Sequence, residues 1–199
     1  MIHSIYARHL LTLLLLFLFT MFSGCTTPPP ALPEVHSKQL PLGASDFTLD
    51  TSKSEVYYEA KKEQFFNTYT ILGINRGLSG SLEKTEHGYK GKLSIDVFMF
   101  DSDDSYRDDN VEEYLNVDTH KLMTYDYEIR DNTVVGDMKI NGVTKKIAFP
   151  VTLKDENSQL FVEGNISIKY SDFNVETPSN FFLRAHEDLV IGAKLYFNH

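Results

Sequence analysis

Residues 122–153, LMTYDYEIRDNTVVGDMKINGVTKKIAFPVTL, contain three runs in which apolar and polar side chains alternate. Alternation with a period of two places one face of a β-strand in a core and the other in water. The dipeptides Asp131-Asn132 and Asn141-Gly142 separate the runs, and both favour the tight turns of antiparallel hairpins. The segment therefore predicts a three-stranded antiparallel meander.

The same alternation extends outward from the meander in both directions. We expect about nine strands, at Ser54–Lys62, Tyr69–Asn75, Leu78–Lys84, Tyr89–Phe100, Leu122–Arg130, Thr133–Ile140, Lys145–Leu153, Leu160–Tyr170 and Leu189–Phe197. Consecutive antiparallel strands can close into a barrel, and about eight strands leave an interior that is wide enough for one apolar ligand. The predicted fold class is therefore all-β, an antiparallel barrel.

One segment between these strands favours a helix instead. From Arg107 to Asn116 the residues are good helix formers, and Val111, Tyr114 and Leu115 have helical spacing, so we expect a short helix against the barrel. The acidic run that begins at residue 101 has oxygen donors spaced as in a calcium-binding loop. Its glycine position is occupied by Tyr106, and a strand rather than a helix precedes it. We therefore predict a solvated acidic turn and no metal site.

The N-terminal residues have the features of an export signal. After Arg8, the apolar run Leu10–Phe22 is shorter than the roughly 20 residues that a membrane-spanning helix needs. It ends in Ser23-Gly24-Cys25, which resembles a lipobox and contains the only cysteine of the chain. We expect residues 1–24 to be a lipoprotein signal peptide and Cys25 to be lipidated. In enteric-type bacteria, aspartate directly after the lipidated cysteine retains a lipoprotein in the inner membrane. Residue 26 is threonine, so we expect the protein in the outer membrane, facing the periplasm.

Composition divides the rest of the chain and limits its partners. Residues 25–44 are rich in proline and predict a tether, so the folded domain is expected to be 45–199. The chain has a net charge of −9, and −10 without residues 1–24, because these contain one cation and no anion. Such a charge excludes nucleic acid as a favoured partner and repels anionic membranes. We therefore expect the lipid anchor to supply membrane attachment.

No motif of catalysis is present in the sequence. It lacks the Gly-x-Ser-x-Gly and His-Glu-x-x-His patterns, and its seven histidines are scattered. An enzyme would need a polar pair inside the barrel, for which Tyr57, Asp96 and Tyr127 are the candidates. We predict a protein that is not an enzyme.

Aromatic residues are the candidates for ligand contact. They make up 13% of the chain, without tryptophan. Core packing accounts for aromatic residues in strands. Two Phe-Phe pairs fall outside the predicted strands, where exposed rings favour the mouth of a cavity or contact with another apolar surface. The candidates are Phe65, Phe66, Phe98, Phe100, Tyr114, Tyr125, Phe149, Phe173, Phe181 and Phe182.

Three motifs together resemble one known family. They are the opening Phe47-Thr48-Leu49-Asp50, the pair Arg107-Asp108 at the start of the short helix, and Ile140-Asn141-Gly142-Val143-Thr144-Lys145-Lys146. In this order and spacing the sequence resembles the YceI-like family of periplasmic, lipocalin-like proteins, from Phe47 to Phe197. Asn141 stands where the family usually has histidine.

The resemblance implies an extended lipocalin-like barrel that binds a polyisoprenoid chain, an isoprenoid quinone or another long-chain lipid in an apolar channel. It also implies that Arg107, Asp108 and Gly142 are motif residues with structural roles. We therefore expect a membrane-anchored carrier or sequestering protein of the bacterial envelope, with no cofactor other than such a lipid. The alternative is an envelope scaffold protein with a filled barrel and no ligand. The sequence leaves the ligand and the oligomeric state open.

Overall fold

The computed structural model describes residues 47–156, 159–179 and 181–199, so the predicted leader, Cys25 and the tether lie outside the described residues. The elements are β1 (Phe47–Leu49), β2 (Glu55–Gln64), β3 (Asn67–Asn75), β4 (Leu78–Thr85), β5 (Gly88–Asp96), β6 (Phe100–Asp101), α1 (Ser105–Tyr114), β7 (Leu122–Arg130), β8 (Thr133–Ile140), β9 (Val143–Glu156), β10 (Gln159–Lys169) and β11 (Leu183–Asn198). Within these ranges no helix has the length and hydrophobicity to cross a membrane.

Eight of these strands form a closed antiparallel barrel. The strand order is β1-β4-β5-β7-β8-β9-β10-β11, and β1 pairs with β11 as well as with β4. At the closure Thr48 lies opposite Asn198 on one side and Ser81 on the other. The motif 47–50 is thus the short strand that joins the two ends of the barrel. The predicted fold, an extended lipocalin-like antiparallel barrel of about eight strands with one short helix, is confirmed.

The barrel has its own hydrophobic core. The largest of its buried side chains include Phe47, Phe173, Phe197 and Ile129, each at most 1% exposed. All the buried apolar residues of the described chain belong to positions 47–197 and form one cluster. A segment with a complete core of this kind folds independently, so residues 44–199 are a suitable unit for experiments.

Several predicted boundaries differ from the structure. Tyr89–Phe100 is not one strand, because the Asp96 carboxylate accepts a hydrogen bond from the backbone N–H of Phe98 and starts a 3₁₀ turn. Helix α1 begins two residues earlier than predicted. Strand β11 begins six residues earlier, at Leu183, because a β-bulge hides its alternation. The bulge places residues 186–188 opposite Lys61 alone.

Strands β2 and β3 form a hairpin that extends from the barrel. The pairing runs from Val56 opposite Asn75 to Gln64 opposite Asn67. The first four residues of β3 are all exposed. Beyond the hairpin, β3 pairs only with the two-residue strand β6 at its far end. The end of this hairpin is therefore surrounded by solvent on most sides.

Candidate functional site

The barrel contains an apolar cavity of about 50 Å³. Aliphatic side chains from both halves of the sheet form most of its wall, and none of the lining residues carries a formal charge. The lining residues are Val56, Leu93, Ile95, Met123, Thr124, Tyr125, Met138, Phe149, Gly164, Ile166, Ile191, Gly192 and Ala193. Such a cavity can hold hydrocarbon and cannot hold an ion.

Opposite walls of the cavity differ in side-chain size. On one side Tyr125 and Phe149 stack with their ring centroids 6.2 Å apart. On the other side β10 and β11 contribute the small residues Gly164, Gly192 and Ala193. The space therefore lies where large aromatic side chains meet the part of β10 and β11 that has small residues.

Two tyrosine hydroxyls lie inside this end of the barrel, and both stay protonated. The Tyr125 hydroxyl donates a hydrogen bond of 3.0 Å to the backbone oxygen of Ile147, and the buried Tyr127 hydroxyl has no partner among the described residues. Burial raises the pKa of both tyrosines far above the ordinary value. The interior therefore remains uncharged at every physiological pH.

Of the ten aromatic candidates, the structure brings Tyr125 and Phe149 to the cavity. Phe100 and Phe173 are buried elsewhere in the core. Phe98 and Tyr114 are 44% and 37% exposed, and Tyr114 does not pack inward as expected, since Val111 and Leu115 make the contact of α1 with the core. The remaining four, Phe65, Phe66, Phe181 and Phe182, lie outside the barrel wall.

Aliphatic residues of the lining were missed by the sequence analysis. Ile166, Ile191 and Ala193 line the cavity but belong to strands that alternate like any other. Their alternation could have shown that they face inward. It could not show that the barrel leaves space beside them, because that depends on the side chains across the interior.

Two of the three polar candidates for chemistry, Asp96 and Tyr57, lie in structural positions. Besides its contact with the Phe98 N–H, Asp96 accepts a hydrogen bond from the Asn75 amide through its backbone oxygen. The ring of Tyr57 lies against Gly192, where an added Cβ would be 2.2 Å from the ring. No group of three or more possible metal-ligating side chains occurs within the described ranges.

Arg107 and Asp108 hold one buried residue, Ser102, from two sides. The Asp108 carboxylate accepts hydrogen bonds from the Ser102 hydroxyl at 2.6 Å and its backbone N–H at 3.1 Å. The Arg107 guanidinium donates to the Ser102 backbone oxygen at 3.0 Å and pairs with Asp104, the N-cap of α1. The guanidinium is 31% exposed, so this ion pair is partly open to solvent. The motif fixes the start of α1 to the preceding loop.

The turn Asn141-Gly142 lies against two other segments of the chain. Gly142 has a φ of +75°, and an added Cβ would lie 2.8 Å from the His120 ring. The Asn141 amide donates hydrogen bonds to the backbone oxygens of Phe173 and Asn174, at 3.3 and 3.1 Å. Asn141 thus joins this turn to the residues after β10, and the positive φ of Gly142 suits a glycine.

A family model of the YceI-like domain matches residues 47–195. The chain belongs to the YceI-like family. No curated protein matches it significantly.

Solved structures share the YceI-like fold at low sequence identity. BcnA of Burkholderia cenocepacia is 21% identical, covering 74% of this chain and 98% of that one, with a TM-score of 0.63. A polyisoprenoid binding domain from Saccharophagus degradans is 14% identical, covering 77% and 98%, with a TM-score of 0.64. A YceI protein of Campylobacter jejuni is 16% identical, covering 64% and 84%, with a TM-score of 0.54. At these identities the likeness establishes the fold.

Outside this YceI-like barrel, four phenylalanines form a cluster that we call the aromatic tip: Phe65, Phe66, Phe181 and Phe182. Their exposed fractions are 65%, 109%, 93% and 60% in that order. The rings of Phe65 and Phe182 are 5.8 Å apart, and those of Phe181 and Phe182 are 4.9 Å apart. The β2–β3 turn and the residues just before β11 thus place exposed aromatic rings side by side.

The backbone at the aromatic tip is strained. Phe65 and Phe66 are the two turn residues between β2 and β3 and have φ values of 49° and 67°. A left-handed conformation costs a residue with a side chain about 1–2 kcal/mol, and a turn with two such residues normally has Asn-Gly. The chain therefore holds two bulky rings in solvent at a cost to folding.

The bulge of β11 is tied to the β10–β11 connection by Glu187. Its carboxylate accepts hydrogen bonds from the Ser171 hydroxyl at 2.5 Å, the Ser171 backbone N–H at 3.1 Å, and the Thr177 hydroxyl. The Ser171 hydroxyl, followed by that of Thr177, lowers the pKa of Glu187 below its ordinary value. The ionised carboxylate is thus the form that the fold prefers.

We expect Glu187→Gln to melt at a lower temperature than the wild type at pH 7. A carboxyl group whose pKa is lowered on folding contributes stability that is present above its ordinary pKa of 4.5 and is lost as pH falls through the folded pKa. The difference in melting temperature should therefore shrink between pH 5 and pH 3. Thermal melts followed by circular dichroism measure it, with the exposed Glu83→Gln as control. A difference independent of pH would contradict the role of the charge.

Proposed function

We propose that this protein binds the apolar chain of a long lipid, a polyisoprenoid or an isoprenoid quinone, inside the barrel. The observation that carries the proposal is the uncharged, apolar cavity enclosed by the β-strands. Membership of the YceI-like family supports it. So does the structural similarity to the Saccharophagus degradans protein, which is described as a polyisoprenoid binding domain.

Binding of such a chain requires the barrel to widen. The cavity of about 50 Å³ is smaller than the roughly 300–1,000 Å³ of typical ligand sites. Met123 and Met138, on neighbouring strands, have unbranched side chains that adapt to new shapes. Each CH₂ group that enters gains about 0.8 kcal/mol, so a long chain can offset the cost of moving these side chains.

We further propose that the domain acts in the bacterial envelope as a lipid-anchored carrier or sequestering protein. It is attached to the outer membrane and faces the periplasm. The leader pattern before Cys25 and the proline-rich segment after it support this placement. Mass spectrometry of the N-terminal peptide from the membrane fraction tests it, because a diacylglyceryl group on Cys25 adds a defined mass. An unmodified cysteine would contradict the anchor and leave the ligand proposal standing.

Native mass spectrometry of residues 44–199, purified without detergent from a bacterial host, tests ligand binding. We expect a stoichiometric long-chain lipid or quinone, which organic extraction then identifies. In an added-ligand titration with a fluorescent polyprenyl chain, Ala193→Phe should weaken uptake about tenfold or more, because its ring fills the cavity.

A matched variant separates filling of the cavity from damage to the sheet. Ser167 lies on β10 next to the lining residue Ile166, and its side chain is exposed. Ser167→Phe therefore adds the same ring to the outside of the barrel and should leave uptake unchanged. Both variants are compared well below their melting temperatures. Equal uptake by Ala193→Phe and wild type would place the ligand elsewhere.

The small cavity favours a second candidate function. A barrel that keeps its interior filled can serve as a scaffold that docks envelope partners through its surface. This candidate predicts that the purified domain has no lipid and takes up no added polyprenyl chain. The titration described above therefore distinguishes the two functions.

A further inference from the structure

We propose that the aromatic tip docks on a lipid bilayer. The inference does not rest on the proposed ligand, because the tip lies outside the barrel. It does not rest on Cys25 either, because the surface belongs to the folded domain.

The size and shape of the aromatic tip favour insertion into a membrane. Its four rings expose on the order of 600 Å², which is at the upper end of apolar patches on soluble monomers. Phe66 is more exposed than in an extended reference peptide, so its ring protrudes from the turn. A protruding apolar group fits the acyl region of a bilayer better than the flat surface of a second copy.

The turn sequence indicates that the rings of Phe65 and Phe66 do not stabilise the fold. The turns 131–132 and 141–142 have the same left-handed conformation at both residues, and they contain Asp-Asn and Asn-Gly, which tolerate it. The β2–β3 turn contains Phe65-Phe66 in their place. Strain of this kind persists at positions that serve another purpose.

The charge around the aromatic tip is balanced, unlike that of the whole chain. Residues 61–69 and 181–188, which lie side by side in the sheet, contain Lys61, Lys62 and Arg184 against Glu63, Glu187 and Asp188, a net charge of zero, whereas the chain carries −9. At physiological salt charges act over about 8 Å, so a membrane at the tip meets mainly these local groups. The overall charge led us to expect repulsion from anionic membranes, and the fold removes that objection at this one surface.

A lysine and a tyrosine lie behind the rings of the aromatic tip along the hairpin, with the exposed Glu63 between this pair and the turn. Lys62 pairs across the strands with Tyr69, which is 46% exposed, and the pair lies three residues from the turn, about 10 Å along the strand. Amphipathic surfaces enter a bilayer to a depth of about 5–10 Å. With Phe66 at that depth, Lys62 and Tyr69 reach the level of the phosphate groups, where lysine and tyrosine are favoured.

A tryptophan reporter can test the docking directly, because the chain contains no tryptophan. Phe66→Trp in residues 44–199 is mixed with vesicles of phosphatidylethanolamine and phosphatidylglycerol in a three-to-one ratio. We expect a blue shift of the emission and quenching by brominated acyl chains. Tyr106→Trp, on α1 beyond the opposite end of β3, should show neither effect. An unshifted Phe66→Trp would overturn the proposal.

Variants that change vesicle binding and stability in opposite directions provide the second test. Phe65→Asn combined with Phe66→Gly should weaken binding about tenfold or more and raise the melting temperature by a few degrees, because the turn strain is relieved. Phe181→Ser should weaken binding without that rise, and Tyr106→Ser should leave binding unchanged. Neutral phosphatidylcholine vesicles should bind about as well as anionic ones, because the local charge is balanced.

Two results would contradict membrane docking. One is vesicle binding by the double variant that equals that of the wild type. The other is a concentration-dependent dimer of the wild type in sedimentation velocity that is absent from the double variant, together with no vesicle binding by either of the two proteins. That result would make the tip a contact between copies of this chain.

Discussion

Phe197→Ala is expected to lower the free energy of unfolding by about 3–5 kcal/mol, the cost of removing a large aromatic side chain from a closed core. The Phe197 side chain is fully buried. Its backbone position lies opposite Leu49 of β1 and Leu160 of β10, so it stands where β11 closes the barrel. Urea unfolding of residues 44–199, followed by circular dichroism, measures the change.

A conservative variant at the same position separates volume from aromatic character. Phe197→Leu keeps most of the buried volume and should cost less than about half as much as Phe197→Ala. If the alanine variant lost less than about 1 kcal/mol, the closure of the barrel at β1 would contribute little to stability. The packing described for this end of the barrel would then be wrong.

Asp108→Ala is expected to lower the free energy of unfolding by about 1.5–3 kcal/mol. The carboxylate accepts hydrogen bonds from both the hydroxyl and the backbone N–H of Ser102, which is 8% exposed, and alanine leaves these buried donors without their partner. Asp109→Ala is the control, because Asp109 is the exposed neighbour of Asp108 and its substitution removes the same charge. Urea unfolding measures all three proteins.

The same variants also test whether the Arg-Asp motif contacts ligand. If its role is structural, Asp108→Ala should take up a polyprenyl chain as the wild type does at temperatures far below its melting point. Reduced uptake with unchanged stability would instead assign Asp108 to the ligand site.

Much of the barrel follows from local sequence. Alternation predicted the β7–β8–β9 meander, and its turn residues occupy the left-handed conformations that they favour. The prediction of strands failed where apolar and polar residues do not alternate. Strand β1 has three residues, too few to show a period, and the bulge opposite Lys61 interrupts the pattern of β11.

The site was less predictable than the fold. Two of the ten aromatic candidates, Tyr125 and Phe149, line the cavity, while Phe173 is as buried as any core residue. Burial depends on which side chains face one another across the barrel. Those partners come from strands that are distant in sequence, so a single sequence does not reveal them.

The order of apolar and polar residues, the turn dipeptides and the family motifs were sufficient for an antiparallel barrel with one helix, since strand period and turn geometry are local properties. Tertiary structure decided where the barrel leaves a cavity. It also brought the ring of Phe65 next to that of Phe182, more than 110 residues later in the sequence. Contacts of this kind arise only when distant strands pair, which is why the sequence did not show that the two Phe-Phe pairs share one surface.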